Sequence, residues 1–237
     1  MIDVMVGERY GRLLGPPPAR ETIGAAVYRQ LRDAILTARI PMGTRINEAE
    51  LASDWRISRT PIRDALRRLE AEGLVQAAPG RGMIVPILAR SDVDELFAML
   101  EGLEGVAARL AAEQATPPFL AQLNTLLKTY GTALKRDDTA QLLLIEGALH
   151  DAIAQVTQNR RLEQAIQVAR LRLYQIHGRS YALRGRAGRT FREMATLVAA
   201  IRTRNPSRAE TSMRAHLSSL HADIAAAFEE LSAPASP

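Results

Sequence analysis

The segment at residues 58–74, SRTPIRDALRRLEAEGL, restricts the fold of this 237-residue chain more than any other stretch. Ile62, Leu66 and Leu69 recur at three- and four-residue spacing, which predicts a helix with one apolar face. A proline is tolerated in a helix where its missing N–H has no intrahelical partner to lose. That condition puts the helix start just before Pro61. Ser58 is then the N-cap, its hydroxyl accepting from a first-turn N–H, and Pro61 is the third helical residue. Ile57 and Ile62 flank the cap in the spacing of a hydrophobic staple, and Gly73 marks the end. Arg59, Arg63 and Arg67 form a stripe four residues apart, with Thr60 beside the first. The planar fork of arginine suits phosphate oxygens and the N7/O6 edge of guanine, and a helix N-terminus adds free N–H groups. The bland alternative is a solvated face on which Asp64 and Glu70 pair the arginines.

The flanking segments favour DNA readout. From Ile23 onward Ala26, Val27, Leu31, Ala34 and Ile35 keep helical spacing, until Pro41 and Gly43 break it. NEAELASDW predicts a second helix, with Asn47 as N-cap and Glu50 three residues on. After the third helix, VQAAPGRGMIVPIL reads as a hairpin about a Pro-Gly-Arg-Gly turn. Helix, helix, helix and hairpin over residues 21–89 is the order of a winged helix-turn-helix. Residues 1–20, which include LLGPPPARE, read as a flexible arm. Residues 1–90 hold 14 Arg and no Lys against 10 acidic residues, whereas the remaining 147 hold 17 basic and 16 acidic. The basic excess thus sits where a polyanion would be met.

The fold class is mostly α, because residues 90–232 read as helix throughout. Six helices are expected near 93–114, 118–136, 138–157, 160–180, 188–204 and 207–231, separated by TPP, RDD, QN, LRGRAGR and RNP. They form an all-helical bundle with its own core, and residues 233–237 read as a disordered tail. The chain has no cysteine, and no apolar run resembles a signal peptide or a membrane span, so a cytoplasmic, non-membrane protein is expected. There is no His-Glu-x-x-His motif and no glycine-rich phosphate loop, so no catalytic residues and no enzyme are expected.

LRDAILTARIPMGTRINEAELASDWRISRTPIRDALRRLEAEGLV, followed by GRGMIV, closely resembles the DNA-binding domain of GntR-type bacterial transcription regulators. The bundle pieces LFAMLEGLEGVAARLAA, EGALHDAIAQVTQN and AAIRTRNPSRAETSMRAHL resemble the effector domain of the FadR branch, called FCD, and six helices suggest its VanR-like subgroup. The resemblance implies operator DNA as partner. The candidate DNA-binding set is Arg32, Ser58, Arg59, Thr60, Arg63 and Arg67, with Gly80, Arg81 and Gly82 at a hairpin tip that enters the minor groove. Ala49 departs from members that carry a basic residue there.

The resemblance also implies a small-molecule effector in the bundle and a homodimer on a palindromic operator, its interface on the first and fourth bundle helices. FCD domains commonly hold a divalent metal through one Asp and three His. Glu146 stands at the Asp position, His150 follows one turn later, and His216 matches the last histidine. The remaining histidine position holds Met194, and a thioether is a poor ligand for Zn or Ni. Leu100 occupies a place where many members carry an arginine, and Glu104 completes the candidate effector pocket. Two readings stay open: a three-ligand metal site finished by water, or a hydrogen-bonded polar remnant. His177 and His221 match no ligand position and read as surface or satisfied histidines.

Overall fold

Two hydrophobic clusters organise the chain in the computed structural model, which describes residues 22–78 and 82–232. The first joins Val27, Leu31, Ile35, Ile62, Leu66, Leu69 and Val85. The second fills the bundle from Leu88 to Ile224. The expected arm at 1–20, most of the hairpin tip (Gly80 and Arg81) and the tail at 233–237 lie outside the described residues.

The N-terminal unit holds α1 (Ile23–Leu36), α2 (Glu48–Trp55) and α3 (Arg59–Ala71). Thr22 caps α1, its hydroxyl accepting from Ala25 N–H at 3.2 Å. Asn47 caps α2 by accepting from Ala49 N–H at 2.9 Å, and its amide donates to Glu50 Oε1 at 2.9 Å. Helix α3 starts directly after Ser58, so Pro61 falls third, where no intrahelical bond is lost. The expected Ser58 cap bond is absent: the residue has the extended backbone of an N-cap, but its hydroxyl accepts nothing from the helix. The first-turn N–H groups are thereby left to solvent or to an anion. At the other end Gly73, at φ +73°, turns the chain left-handed. Its N–H bonds Glu70 O, and Leu74 N–H bonds Leu69 O, both at 2.9 Å, closing the last carbonyls of the helix.

The wing is a sheet of three short strands rather than a lone hairpin. Strands β2 (Gln76–Ala77) and β3 (Met83–Ile84) pair as expected, and β1 (Arg45–Ile46) adds antiparallel on the far side of β3.

The bundle comprises α4 (Arg90–Glu113), α5 (Pro117–Leu134), α6 (Thr139–Val156), α7 (Arg160–Ser180), α8 (Arg186–Arg202) and α9 (Pro206–Ala226). Thr116, Asp138, Asn159 and Asn205 cap α5, α6, α7 and α9 through their side chains. The sixth expected helix is shorter than its sequence suggests. Ala227 leaves the helical region at φ −112° and ψ 20°, and a separate α10 (Phe228–Ser232) follows. The first bundle helix, α4, packs on α6, α7, α8 and α9. Its buried Ala107, Ala108, Ala111 and Ala112 keep that side narrow enough for its neighbours to close in.

One helix serves both clusters. From α7, Gln175 reaches into the N-terminal unit, where its amide donates to Ile35 O at 2.6 Å and its carbonyl accepts from Met42 N–H at 3.1 Å.

Candidate functional site

Helix α3 lies with Ile62, Ala65, Leu66 and Leu69 against the core, which turns Arg59, Thr60, Arg63 and Arg67 outward together. The alternative of Asp64 and Glu70 neutralising the stripe is not what the fold shows. Arg63 instead donates from Nε and Nη2 to Glu48 Oε2 of α2, at 3.2 and 3.1 Å. Both partners are partly exposed, so the pair is weak and exchangeable. Among the described residues Arg59 and Arg67 have no ion pair. Arg68, one residue off the stripe, is structural: its guanidinium stacks 3.7 Å over the Tyr28 ring, and its Nε lies 3.6 Å from Glu72. Arg32, placed in the DNA set from sequence, lies 3.9 Å from Glu72 and lines a groove between α1 and the bundle. Ser58 is exposed beside Arg59, and Gly82 adopts φ +95° at the start of β3.

The second constellation is buried. Glu146 and His150 lie one turn apart on α6 and face His216 from α9, and ligand atoms of the three stand within 4.8 Å of one another. Each histidine is braced from outside by a carboxylate. His150 Nδ1 is bonded to Glu104 of α4, and His216 Nδ1 lies 2.8 Å from Glu193 of α8. In its neutral form a ring bonded in this way carries its proton on Nδ1 and leaves the Nε2 lone pair free. His216 reaches that form only on giving up the proton its two carboxylates hold. His216 Nε2 faces Glu146 Oε1 at 3.3 Å. Tyr181 donates its hydroxyl to Glu146 Oε2. Among the described residues four buried side-chain atoms have no hydrogen-bond partner, and all lie here: Glu104 Oε1, Glu146 Oε1, His177 Nε2 and His216 Nε2.

His177 is the histidine that sequence spacing misjudged. Its Nε2 lies 3.1 Å from Glu146 Oε2. The signal was available on α7, where Arg170, Tyr174 and His177 fall at i, i+4 and i+7 and share a face. His221 is satisfied, as read, by Asp94 at 2.7 Å and by stacking on Phe97. Met194 is fully buried on α8 but does not line the cavity that Leu100, Glu104, His150 and His216 share.

Burial alone would favour neutral groups, and the charges decide where it loses. Burial pushes the Glu146 carboxyl upward, but the imidazoles of His177 and His216 hold it well below the usual range. His216 is driven down by burial and, more strongly, up by the carboxylates of Glu146 and Glu193, to about 9. Glu193 is correspondingly depressed to about 2, by His216, Ser219 and Arg186 against its burial. His150 stays below the ordinary histidine value because burial outweighs Glu104. Glu193 is also tied to Arg186, a fully buried guanidinium that Asp223 neutralises at 2.8 Å from the other side.

The cavity beside this cluster measures about 40 Å³. That is space for a few waters, less than a metabolite needs. Leu143, Gly147, Arg170 and Tyr174 form one wall of it, and the same four residues line an open groove of about 720 Å³ against α1. Arg170 stands between the two, bonded to Asp151 at 2.8 Å on the groove side and 4.0 Å from Glu104 on the cavity side.

Comparison with known proteins matches two stretches of the chain to family models. Residues 23–85 match the family described as bacterial regulatory proteins, gntR family, and residues 95–219 match the FCD domain. Over 191 residues the chain is 28% identical to an uncharacterised HTH-type transcriptional regulator, YdhC, of Bacillus subtilis (strain 168), which covers 80% of this chain and 85% of that one. The Nta operon transcriptional regulator of Aminobacter aminovorans is 31% identical over 130 residues, 53% of this chain and 59% of its own. The solved structure of E. coli McbR/YncC superposes with a TM-score of 0.76 at 22% identity, covering 89% of this chain and 99% of that one, a likeness of fold. The two sequence relatives are named as transcription regulators, not as enzymes. Among the described residues no helix is long and apolar enough to cross a membrane. With the FCD match alone spanning more than half of the sequence, the chain belongs to the gntR family of bacterial transcription regulators, in its FCD branch.

Proposed function

We propose that this regulator binds a palindromic operator as a cytoplasmic homodimer, and that a small metabolite held in the bundle sets its affinity for DNA. The observation that carries this reading is the double role of α7. One side of the helix walls the buried cavity with Arg170, Tyr174 and His177, and Gln175 on it is hydrogen-bonded into the N-terminal unit. A ligand that displaces α7 therefore displaces the attachment of the DNA-reading helices. Dimerisation is supported by the shortness of α3, which reads only a few base pairs alone, and by Met99 on α4 and Val168 on α7, large apolar side chains left exposed. Arg59, Thr60 and Arg63 read bases or phosphates, with Arg67 on the same stripe and Gly80, Arg81 and Gly82 at the wing.

The cluster also fits a divalent metal, Zn or Ni, held by Glu146, His150 and His216. What supports this is the four unpartnered buried atoms and the carboxylate behind each histidine, a common arrangement for metal-ligating imidazoles. When bound, such an ion supplies a fixed positive charge for an anionic or polar effector group. The chain's own residues do the rest: Glu104 and Glu193 orient the two rings, and Leu100 keeps the adjacent wall apolar.

Selection of bound duplexes from a random pool tests the DNA half. The expected enriched site is two-fold symmetric, with half-sites about one helical turn apart. A pool that yields no enriched sequence, or a single asymmetric site bound by a monomer, overturns it. A metabolite screen by thermal shift, followed by operator binding with each hit, tests the effector half.

A further inference from the structure

Two histidines from different helices face the same buried carboxylate. His216 presents Nε2 to Glu146 Oε1 at 3.3 Å, and His177 presents Nε2 to Glu146 Oε2 at 3.1 Å. Neither nitrogen makes a hydrogen bond, nor does Glu146 Oε1, and all three atoms are buried. Buried polar atoms without partners are few in folded proteins, and three gathered at one carboxylate call for one cause. A hydrogen-bonded polar remnant does not supply it, because the contacts are close but misaligned for hydrogen bonds.

The position of His177 is built in. It stands in the last turn of α7, just before Gly178, where an added Cβ would lie 3.3 Å from Leu143 Cδ2. The glycine lets α7 lie close against α6, the helix that carries Glu146 and His150. His177 borders the group of three through Glu146, and sharing one ion with His150 and His216 requires its ring to turn toward them. Its side chain is 19% exposed and lines the cavity beside the cluster. Met194, by contrast, is sealed in the core and offers only a thioether.

Resting on the metal reading above, the geometry points to His177 as the ligand this chain uses where Met194 offers none, giving a divalent metal site of Glu146, His150, His177 and His216. One carboxylate with three neutral imidazoles suits Zn, Ni or Co. Drawing a ligand from α7 also ties the metal to the helix that holds the N-terminal unit.

The test uses the full chain, stripped with chelator and titrated calorimetrically with Co(II) alone. Wild type is expected to bind one ion per chain. His177→Gln should weaken binding by at least about tenfold and shift the visible Co(II) spectrum, whereas His221→Gln should change neither. X-ray absorption on the Zn-loaded wild type gives a count that does not depend on how any variant folds: three imidazoles are expected. Two imidazoles, or a folded His177→Gln with wild-type affinity and spectrum, overturn the role of His177 while leaving a metal site standing. Failure of wild type to bind Co(II) or Zn(II) at all overturns both.

Discussion

Gln175 and Ile35, 140 positions apart, are joined by a hydrogen bond of 2.6 Å from the glutamine amide to the isoleucine carbonyl. The same side chain accepts from Met42 N–H and lies 3.3 Å from Ile40 O. It therefore serves Met42 N–H and Ile40 O in the loop after α1, and adds a second donor to Ile35 O, which also accepts from Ala38 N–H at 3.0 Å.

Removing that side chain should cost more than one hydrogen bond, because Gln175→Leu leaves Met42 N–H and Ile40 O without the partner it supplies. We expect a loss of about 1–3 kcal/mol, concentrated in the N-terminal unit. Urea unfolding followed at Trp55 on α2 should shift to lower denaturant. An unchanged midpoint would show that water takes over the role at no cost.

Arginines on α3 should divide by function. Arg59→Ala and Arg63→Ala should each weaken specific operator binding by roughly 1–3 kcal/mol with little change in melting. Arg68→Ala should lower melting, since it loses the Tyr28 ring and Glu72, while its effect on DNA stays small. Anisotropy with a labelled operator, read beside a melting curve for each variant, separates these outcomes. Normal DNA binding by both Arg59→Ala and Arg63→Ala would remove α3 from the readout.

Metal-free protein should have an asymmetric stability profile. The pKa of His216 is raised in the fold from 6.5 to about 9, so its contribution is complete below pH 6.5 and fades as pH rises through 9. Glu193 is lowered from 4.5 to about 2, so the same contact is lost again as pH falls from 4.5 toward 2. The two describe one interaction and are not added. We expect the His216–Glu193 contribution to be flat between about pH 4.5 and 6.5 and then to decline by on the order of 3 kcal/mol by pH 9. His150, held neutral by burial, subtracts stability as pH falls below 6.5. His216→Gln should flatten the alkaline limb, and a level wild-type profile from 6.5 to 9 contradicts the assignment.

Metal should stabilise the stripped protein by mass action. At a free ion concentration about a hundred times the dissociation constant the gain is about 2.7 kcal/mol, readable as a rise in melting temperature that chelator reverses. Glu146→Gln should abolish the rise. A wild-type melting temperature indifferent to Zn(II), Ni(II) and chelator alike would favour the polar-remnant reading.

The elements that sequence made legible are those with chemical punctuation. Pro61 and Gly73 delimit α3, and Asn47, Thr116, Asp138, Asn159 and Asn205 stand at helix starts where small polar residues satisfy free N–H groups. Strand β1 has two residues, Arg45 and Ile46, too few to show alternation. The end of α9 was hidden because HADIAAAFEE contains no Gly or Pro to mark a break at Ala227. Arg186 sits in LRGRAGR, which reads as a break between helices, yet its partners Glu193 and Asp223 make it one of the most buried charges in the bundle. Spacing within α6 and the family pattern located Glu146, His150 and His216. Glu104 was placed in the pocket from sequence as well, but its bond to His150, and the arrival of Glu193 and His177 from two further helices, come only with tertiary packing.

The cavity of about 40 Å³ has a consequence for how such a regulator measures concentration. A metabolite larger than the few waters this space holds must first push a wall aside, and the work of doing so is subtracted from whatever its contacts return. The threshold at which the protein responds is then a mechanical property of the bundle as much as a matter of ligand fit. Substitutions that soften the packing of α7 against α6 or α4, far from any atom the ligand touches, should lower that threshold and leave specificity alone.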